Sequence, residues 1–126
     1  AASDVYKRQH IRVFDIDIHG RLHGGRVFCS ITHGVPDGIR CDVDGRLWSS
    51  AGDGVHVFGT DGTLIGKIVT PSAPSRRDET TSAPESVANI CFGGGGASVA
   101  RLYMTACTSV YAIDVQVRGA TQGRTG

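Results

Sequence analysis

The chain of 126 residues is long enough for one domain and too short for two of ordinary size. Its 18 glycines, with plentiful Val and Ile and a single Met, favour short strands and tight turns over helices. Thirteen basic and 12 acidic residues, with no long block of one sign, exclude an electrostatic footprint for nucleic acid or an anionic membrane. No apolar run approaches the roughly 20 residues that span a bilayer, and the polar start lacks a signal-peptide core, so we expect a cytoplasmic protein.

Alternation of apolar and polar residues predicts nine short strands and an all-β fold. In chain order they lie near residues 11–16, 25–31, 38–43, 46–51, 54–59, 64–69, 87–92, 101–106 and 109–115. Three Asp-Gly pairs then fall at turns: Asp44-Gly45, Asp53-Gly54 and Asp61-Gly62. Asp-Gly suits a type I′ hairpin, in which both central residues have positive φ, and we expect that geometry here.

Internal similarity relates distant parts of the chain. Residues 47–58 align without a gap with residues 102–113, and both read as strand, tight turn, strand. Residues 11–14 resemble residues 55–58, and the recurrence interval of about 44 to 55 residues is typical of β-propeller blades. Trp48 and Tyr103 occupy matching positions, so we expect both to pack between blades.

Three segments do not follow the repeat. Residues 1–9 resemble a translated cloning adaptor, so the natural sequence is expected to begin near His10. Residues 70–86 combine three prolines with polar residues and predict an exposed loop inserted between blades. Residues 120–126 are small and polar and predict a disordered tail. The blades are therefore expected within residues 10–119.

Cysteines and histidines give no firm metal signature. The four cysteines are widely spaced, without a C-x-x-C pair, and lie in or beside apolar segments: Cys29, Cys41, Cys91 and Cys107. Buried free thiols are the prediction, with zinc binding or a disulfide framework as alternatives.

Three histidines are spaced closely enough to suggest a zinc site: His19, His23 and His33. Because His19 and His23 each precede a glycine at a predicted hairpin end, exposed polar side chains are favoured.

Several segments, in their order and spacing, carry a resemblance to a known family. They are Ile11–Asp15, Gly34–Ile39, Asp42–Trp48, Gly54–Phe58, Asp61–Ile68, Val87–Gly94, Leu102–Ala106 and Val117–Gly119. From about Ile11 to Ala120 the chain resembles the second half of the gluconolactonase and regucalcin-like (senescence marker protein) sugar lactonases. This resemblance implies a partial six-bladed β-propeller, with a little more than two blades of antiparallel four-stranded sheets. It also implies that the N-terminal blades are missing from this chain.

The resemblance further implies a metal-dependent hydrolase of sugar-acid lactones such as gluconolactone. The family holds one divalent cation, Ca²⁺, Zn²⁺, Mn²⁺ or Mg²⁺, with a Glu, usually two Asn, and an Asp in a Pro-Asp-Gly turn. That turn is Pro36-Asp37-Gly38 here, so Asp37 is the expected metal ligand and catalytic base. The other ligands are expected before His10, and neither Glu79 nor Glu85 replaces them by position.

Each candidate residue also has a plainer interpretation. Pro36-Asp37-Gly38 alone is a common turn tripeptide. Asn89 shares the blade position of Gly38, so it either lines the substrate pocket or satisfies neighbouring backbone groups. Ser49 and Ser50 have no Asp/His pairing nearby in the sequence, and both are interpreted as ordinary strand residues. The glycine run 93–96 lacks the Lys of a phosphate loop and predicts a flexible connection.

Two other functions stay open at this level. The second hypothesis is a non-catalytic propeller module that presents loops to a protein partner, since blade repeats also serve binding alone. A related metal-dependent esterase or phosphotriesterase on the same scaffold is the third reading. The lactonase hypothesis predicts a small sugar lactone as the partner. It predicts no binding to nucleic acid or to a membrane.

Overall fold

The computed structural model describes residues 9–74, 80–95 and 99–120, and these residues form strands, turns and loops. The strands are β1 His10–Ile16, β2 Leu22–Ser30, β3 Ile39–Cys41, β4 Leu47–Ala51, β5 Gly54–Phe58, β6 Leu64–Val69, β7 Ser72–Pro74, β8 Ser82–Pro84, β9 Val87–Gly95, β10 Val99–Ala106 and β11 Val110–Val115. All nine predicted strands are confirmed, β7 and β8 being additional. Within the described ranges no helix is long and apolar enough to cross a membrane.

The strands pair only with antiparallel neighbours. A four-stranded sheet has the order β3-β4-β5-β6, and a three-stranded sheet has the order β11-β10-β9. Strands β1 and β2 form a two-stranded sheet before them. The predicted all-β, partial β-propeller fold is confirmed, with one complete four-stranded blade among the described residues. The edge strands β3 and β9 lie side by side.

The type I′ prediction for the Asp-Gly turns is wrong. No residue other than glycine has positive φ in the described chain, so Asp44 and Asp61 do not adopt the required conformation. Instead Gly45 (φ 83°) donates its N–H to the Asp42 carbonyl, and Gly62 (φ 85°) donates to the Gly59 carbonyl. These are three-residue hairpin loops that end in a left-handed glycine. The aspartates act through their side chains, as where Asp61 Oδ1 accepts the Thr63 N–H at 3.0 Å.

Two apolar clusters hold the sheets together. The larger one lies between the four-stranded and three-stranded sheets and contains Trp48, Val55, Val57, Val87, Ile90, Leu102 and Met104. Trp48 packs edge-to-face on Phe92, with ring centroids 5.2 Å apart, which confirms its predicted place between blades. The prediction for Tyr103 is wrong, because this side chain is 41% exposed on the face of β10 opposite the fully buried Leu102. The second cluster joins the four-stranded sheet to β2 and contains Cys29, Ile31, Leu47, Ala51 and Phe58.

The cysteines are free, as predicted, but the prediction that all are buried is wrong. Only Cys29 is buried, and burial raises the pKa of its thiol to about 11. Cys41 and Cys91 are exposed because they lie on β3 and β9, the edge strands of their sheets. Cys107 is exposed in the turn that follows β10.

The segment 70–86, predicted as an exposed loop, contains a pair of antiparallel strands. Its described residues include the hairpin β7–β8, and both of its ends are anchored in the protein. Thr70 is buried and its hydroxyl donates to the Glu85 carbonyl. The Glu85 carboxylate is also buried, where it accepts hydrogen bonds from the hydroxyls of Thr108 and Tyr111.

The chain ends are described only in part. Of the expected adaptor 1–9, residues 1–8 lie outside the described residues, and the Gln9 carbonyl accepts the Ile31 N–H at 2.7 Å. Of the predicted tail 120–126, residues 121–126 lie outside the described residues. Ala120 donates its N–H to the Cys41 carbonyl at 2.8 Å, which ties it to β3.

Candidate functional site

Asp37 is exposed and lies on the loop that leads into β3. Because β3 and β4 are antiparallel, the start of β3 shares one end of the sheet with the turn between β4 and β5. The start of β9 lies at this end as well, where its residue Asn89 adjoins Gly38. This end of the two sheets is the candidate site, and it is the end where the sequence-predicted residues Asp37 and Asn89 come together.

The backbone of the Pro-Asp-Gly turn is bound to β4. Ser50 Oγ accepts the N–H of Asp37 at 3.0 Å and the N–H of Gly38 at 2.9 Å. The Ser50 N–H donates to the Gly38 carbonyl at 2.9 Å. The interpretation of Ser50 as an ordinary strand residue was therefore incomplete. A signal was present in the sequence, since a buried strand seldom contains a serine unless its hydroxyl has a partner.

Gly38 allows β3 and β9 to approach each other closely. A Cβ atom at position 38 would lie 2.7 Å from the Asn89 Cα and 2.9 Å from its Cγ, which no real Cβ tolerates. The exposed Asn89 side chain accepts the Ile90 N–H through Oδ1 at 2.9 Å. From the sequence, Asn89 was expected either to line the substrate pocket or to satisfy neighbouring backbone groups. This bond is an example of the second role. Among the described residues, no hydrogen bond involves the Asn89 Nδ2 group.

A small cavity opens next to Asn89. Its volume is about 130 Å³. The lining residues are Arg40, Asn89, Ile90, Cys91, Tyr103 and Thr105. Most of the lining surface is apolar, and one of its polar side chains, Thr105, donates its hydroxyl to the Asn89 carbonyl at 3.3 Å. The cavity lies beside Gly38, in the turn that carries Asp37.

The loop before Asp37 rests on the turn between β4 and β5. Gly52 donates its N–H to the His33 carbonyl at 2.7 Å. Gly34 has a φ of 71°, and a Cβ there would lie 2.8 Å from the Gly52 backbone. Both glycines are thus required where the two backbones touch. The loop is fixed at His33 and again at Asp37.

A buried histidine, which sequence reasoning missed, supports the same turn. His56 is 1% exposed and its Nε2 donates to Asp53 Oδ1 at 2.6 Å. His33 Nδ1 and Lys67 Nζ each lie 3.8 Å from Asp53 Oδ2. Burial alone raises the pKa of Asp53, but the hydrogen bond and charge of His56, with the charges of His33 and Lys67, outweigh it and lower the pKa. The Asp-x-x-His spacing was the available sequence signal.

The other metal-ligand candidates do not gather at the site. His19 lies in the turn between β1 and β2, and His23 lies on β2, both exposed. Glu85 is engaged by hydroxyl groups, and Glu79 lies outside the described residues. In residues 9–74, 80–95 and 99–120, no group of three or more His, Cys, Asp or Glu side chains is arranged to hold a metal ion.

Comparison with known proteins identifies similar chains. The family model described as "SMP-30/Gluconolactonase/LRE-like region" matches residues 2–108, a range that begins inside the segment 1–9. The chain is 33% identical over 91 residues to the gluconolactonase of Zymomonas mobilis subsp. mobilis, covering 71% of this chain and 20% of that protein.

Solved structures agree with this match. An X-ray structure of a candidate gluconolactonase superposes with a TM-score of 0.74 at 32% identity, covering 90% of this chain and 34% of that one. The Xanthomonas campestris gluconolactonase, described as important in glucose secondary metabolic pathways, gives a TM-score of 0.64 at 32% identity, covering 88% and 30%. A luciferin-regenerating enzyme, 18% identical with a TM-score of 0.59, shares the fold over 77% of this chain and 31% of its own. The chain thus spans about a third of these structures.

Proposed function

Because this chain belongs to the SMP-30/Gluconolactonase/LRE-like family, we propose that it forms part of a hydrolase that opens sugar-acid lactones such as gluconolactone. The observation that carries this proposal is the exposed Asp37 carboxylate on a turn fixed by Ser50, beside Asn89. Two similar proteins described as gluconolactonases support the substrate class. They are longer than this chain, so the activity is proposed for the protein that carries it.

Lactone hydrolysis sets two chemical requirements. A water molecule must lose a proton as it attacks the carbonyl carbon, and negative charge on the carbonyl oxygen must be stabilised. The Asp37 carboxylate, which faces solvent and has no hydrogen-bond or ion-pair partner among the described residues, is suited to accept that proton. The Asn89 amide and the Arg40 guanidinium, which line the neighbouring cavity, are suited to hold the sugar hydroxyls.

One divalent cation is part of the proposal. When bound, such an ion polarises the lactone carbonyl and lowers the pKa of a coordinated water. A carboxylate supplies the hard oxygen ligands that Ca²⁺, Mg²⁺ and Mn²⁺ prefer and that Zn²⁺ accepts. The described residues contribute one carboxylate, Asp37, to such a site. The remaining ligands would have to come from residues other than those described.

The direct test measures hydrolysis of glucono-1,5-lactone by the protein that contains this chain. The rate of acid release is recorded with and without a chelator. We expect Asp37→Asn to lower kcat/KM by about 100-fold or more, because it removes the proposed base. The matched control is Asp44→Asn, an exposed aspartate at the opposite end of β3 that should leave activity within about twofold.

Other outcomes distinguish the alternatives. Equal activity of Asp37→Asn and the unmodified protein would remove Asp37 from the mechanism. Full activity in chelator would remove the cation. Hydrolysis of phosphotriesters or simple esters in preference to lactones would favour the related esterase, and hydrolysis of none of them would favour a non-catalytic binding module.

A further inference from the structure

Ser50 forms an unusual connection between β4 and the turn that carries Asp37. The residue is 0% exposed and lies on the same face of β4 as Trp48, which packs toward β9. One side-chain oxygen accepts two consecutive backbone N–H groups, those of Asp37 and Gly38. No described residue donates a hydrogen bond to, or forms an ion pair with, the Asp37 carboxylate, because Ser50 binds only the backbone.

These bonds replace a regular strand pairing. The ladder between β3 and β4 runs from Cys41↔Leu47 to Ile39↔Ser49, so Gly38 and Ser50 would be the next opposed pair. Ser50 does donate its N–H to the Gly38 carbonyl. The returning bond is diverted, because the Gly38 N–H donates to Ser50 Oγ at 2.9 Å and not to the Ser50 carbonyl. The chain therefore leaves the sheet at Gly38 with the Asp37 N–H bound to the same oxygen.

The surroundings restrict any other path for this turn. On one side Gly38 is in contact with Asn89, so the turn cannot move toward β9. Before Asp37, the His33 carbonyl is bound to the Gly52 N–H. The Ser50 hydroxyl is thus the group that sets the backbone orientation of Asp37 between these two fixed points, and with it the direction in which the carboxylate projects.

We infer that Ser50 is a positioning residue, whose hydroxyl oxygen holds the Asp37–Gly38 backbone so that the Asp37 carboxylate projects from the sheet end toward the substrate. This role rests on the proposed function for its effect on catalysis. Ser50 is not a nucleophile here, since its oxygen is buried and already accepts two N–H groups.

The test compares Ser50→Ala with Ser49→Ala in the protein carrying this chain. Ser49 is the matched control because it is equally buried in β4 and its hydroxyl does not contact Asp37 or Gly38. Amide hydrogen exchange should be about tenfold faster at Asp37 and Gly38 in Ser50→Ala than in Ser49→Ala, because both N–H groups lose their acceptor. For glucono-1,5-lactone, Ser50→Ala should lower kcat by about tenfold with KM within about twofold, and Ser50→Thr, which keeps the hydroxyl, should recover part of kcat.

The outcomes separate this inference from the proposed function. Equal exchange of the two amides in Ser50→Ala and Ser49→Ala would overturn the positioning role, whatever the activity. If Asp37→Asn abolishes hydrolysis while Ser50→Ala and Ser49→Ala keep the same kcat, only the positioning role fails. If Asp37→Asn keeps full activity, the proposed function fails, and the exchange rates still decide whether Ser50 holds the turn.

Discussion

Three aspartates of this chain differ in what surrounds their carboxylates. The Asp42 side chain is fully buried and accepts Arg46 Nε at 2.7 Å and Trp48 Nε1 at 2.9 Å. Asp53 is partly buried against His56. Asp37 is exposed, and only its backbone is bound, through Ser50. The first two aspartates have structural partners that use their charge, whereas Asp37 keeps its carboxylate available to a ligand.

Asp42 should make stability depend on pH in the acidic range. Burial alone raises its pKa, but hydrogen bonds from Arg46 and Trp48, with the Arg46 charge, outweigh this and lower the pKa below its usual value. A lowered pKa in the folded state adds stability above the unfolded value of about 3.9, and this stability is lost as pH falls through the folded pKa. The free energy of unfolding of Asp42→Asn should therefore be about 2–4 kcal/mol lower than that of the unmodified protein at pH 7. This difference should shrink below about pH 4.

Thermal or urea unfolding at a series of pH values measures this effect. Asp15→Asn is the control, because the Asp15 side chain is 60% exposed and its ion pair with Arg26 is 3.8 Å long. A difference between Asp42→Asn and the unmodified protein that stays constant from pH 7 to pH 3 would contradict the role given to the charge.

The residue-level chemistry was only partly readable from the sequence. Asp37 was predicted as a site residue because Pro36-Asp37-Gly38 resembles the turn of the sugar lactonases, whereas the motif alone indicates only a turn. Ser50 could not be assigned, since its contacts with Asp37 cross 13 residues and depend on how β3 and β4 register. The burial of Cys29 and the exposure of Cys91 likewise depend on which strand lies at a sheet edge.

At the scale of elements, the site depends on how closely β3 and β9 approach. These are edge strands of two different sheets, and β9 fits against the start of β3 because position 38 has no side chain. The apolar cluster around Trp48 and Leu102 fixes the two sheets behind this contact. The distance between Asp37 and Asn89 is therefore set by packing between the sheets.

Gly38→Ala should disturb this contact. The new methyl would overlap Asn89, so we expect a loss of stability of about 1–3 kcal/mol from overpacking, measured by chemical unfolding. Gly66→Ala on β6 is the matched control, because nothing lies within 4 Å of a Cβ there, and its stability should stay within about 0.5 kcal/mol. Equal stabilities of the two variants would show that β3 and β9 are not in close contact.

At the scale of the whole molecule, the sheets leave apolar surface uncovered. On the β1–β2 hairpin, Ile16 is 69% exposed, Ile18 is 96% exposed and Leu22 is 62% exposed. In a propeller, the faces of each blade are covered by its neighbours. The structures similar to this chain are about three times as long as the part it matches, which agrees with a ring of further blades.

The 126-residue chain expressed alone should therefore self-associate, because the exposed apolar faces can bury one another. Sedimentation over a range of protein concentrations measures this, and Leu22→Lys with Val27→Lys should weaken the association. A monomer that unfolds cooperatively, with a melting temperature above about 60 °C, would contradict the view that these faces need a cover.

The global fold was readable because its signals are periodic. Alternation located all nine predicted strands, and the repeat of residues 47–58 at 102–113 gave the blade. The turn type was misjudged because Asp-Gly also suits a hairpin loop with a single left-handed glycine. The hairpin β7–β8 lies in a segment without apolar alternation, where pairing is not encoded by that pattern.

We propose that Asp37 and Asn89 lie at one end of a cation-assisted site, and cation binding near them can be observed in solution. This proposal is tested most directly by adding Mn²⁺ to the isotope-labelled protein carrying this chain and recording the paramagnetic broadening of its amide signals. The amide signals of Asp37, Gly38 and Asn89 should broaden first, whereas that of Gly45, at the far end of β3 and β4, should not. Asp37→Asn should abolish this selective broadening. Broadening centred on the Asp44-Gly45 turn, or none at Asp37 at any Mn²⁺ concentration, would contradict it.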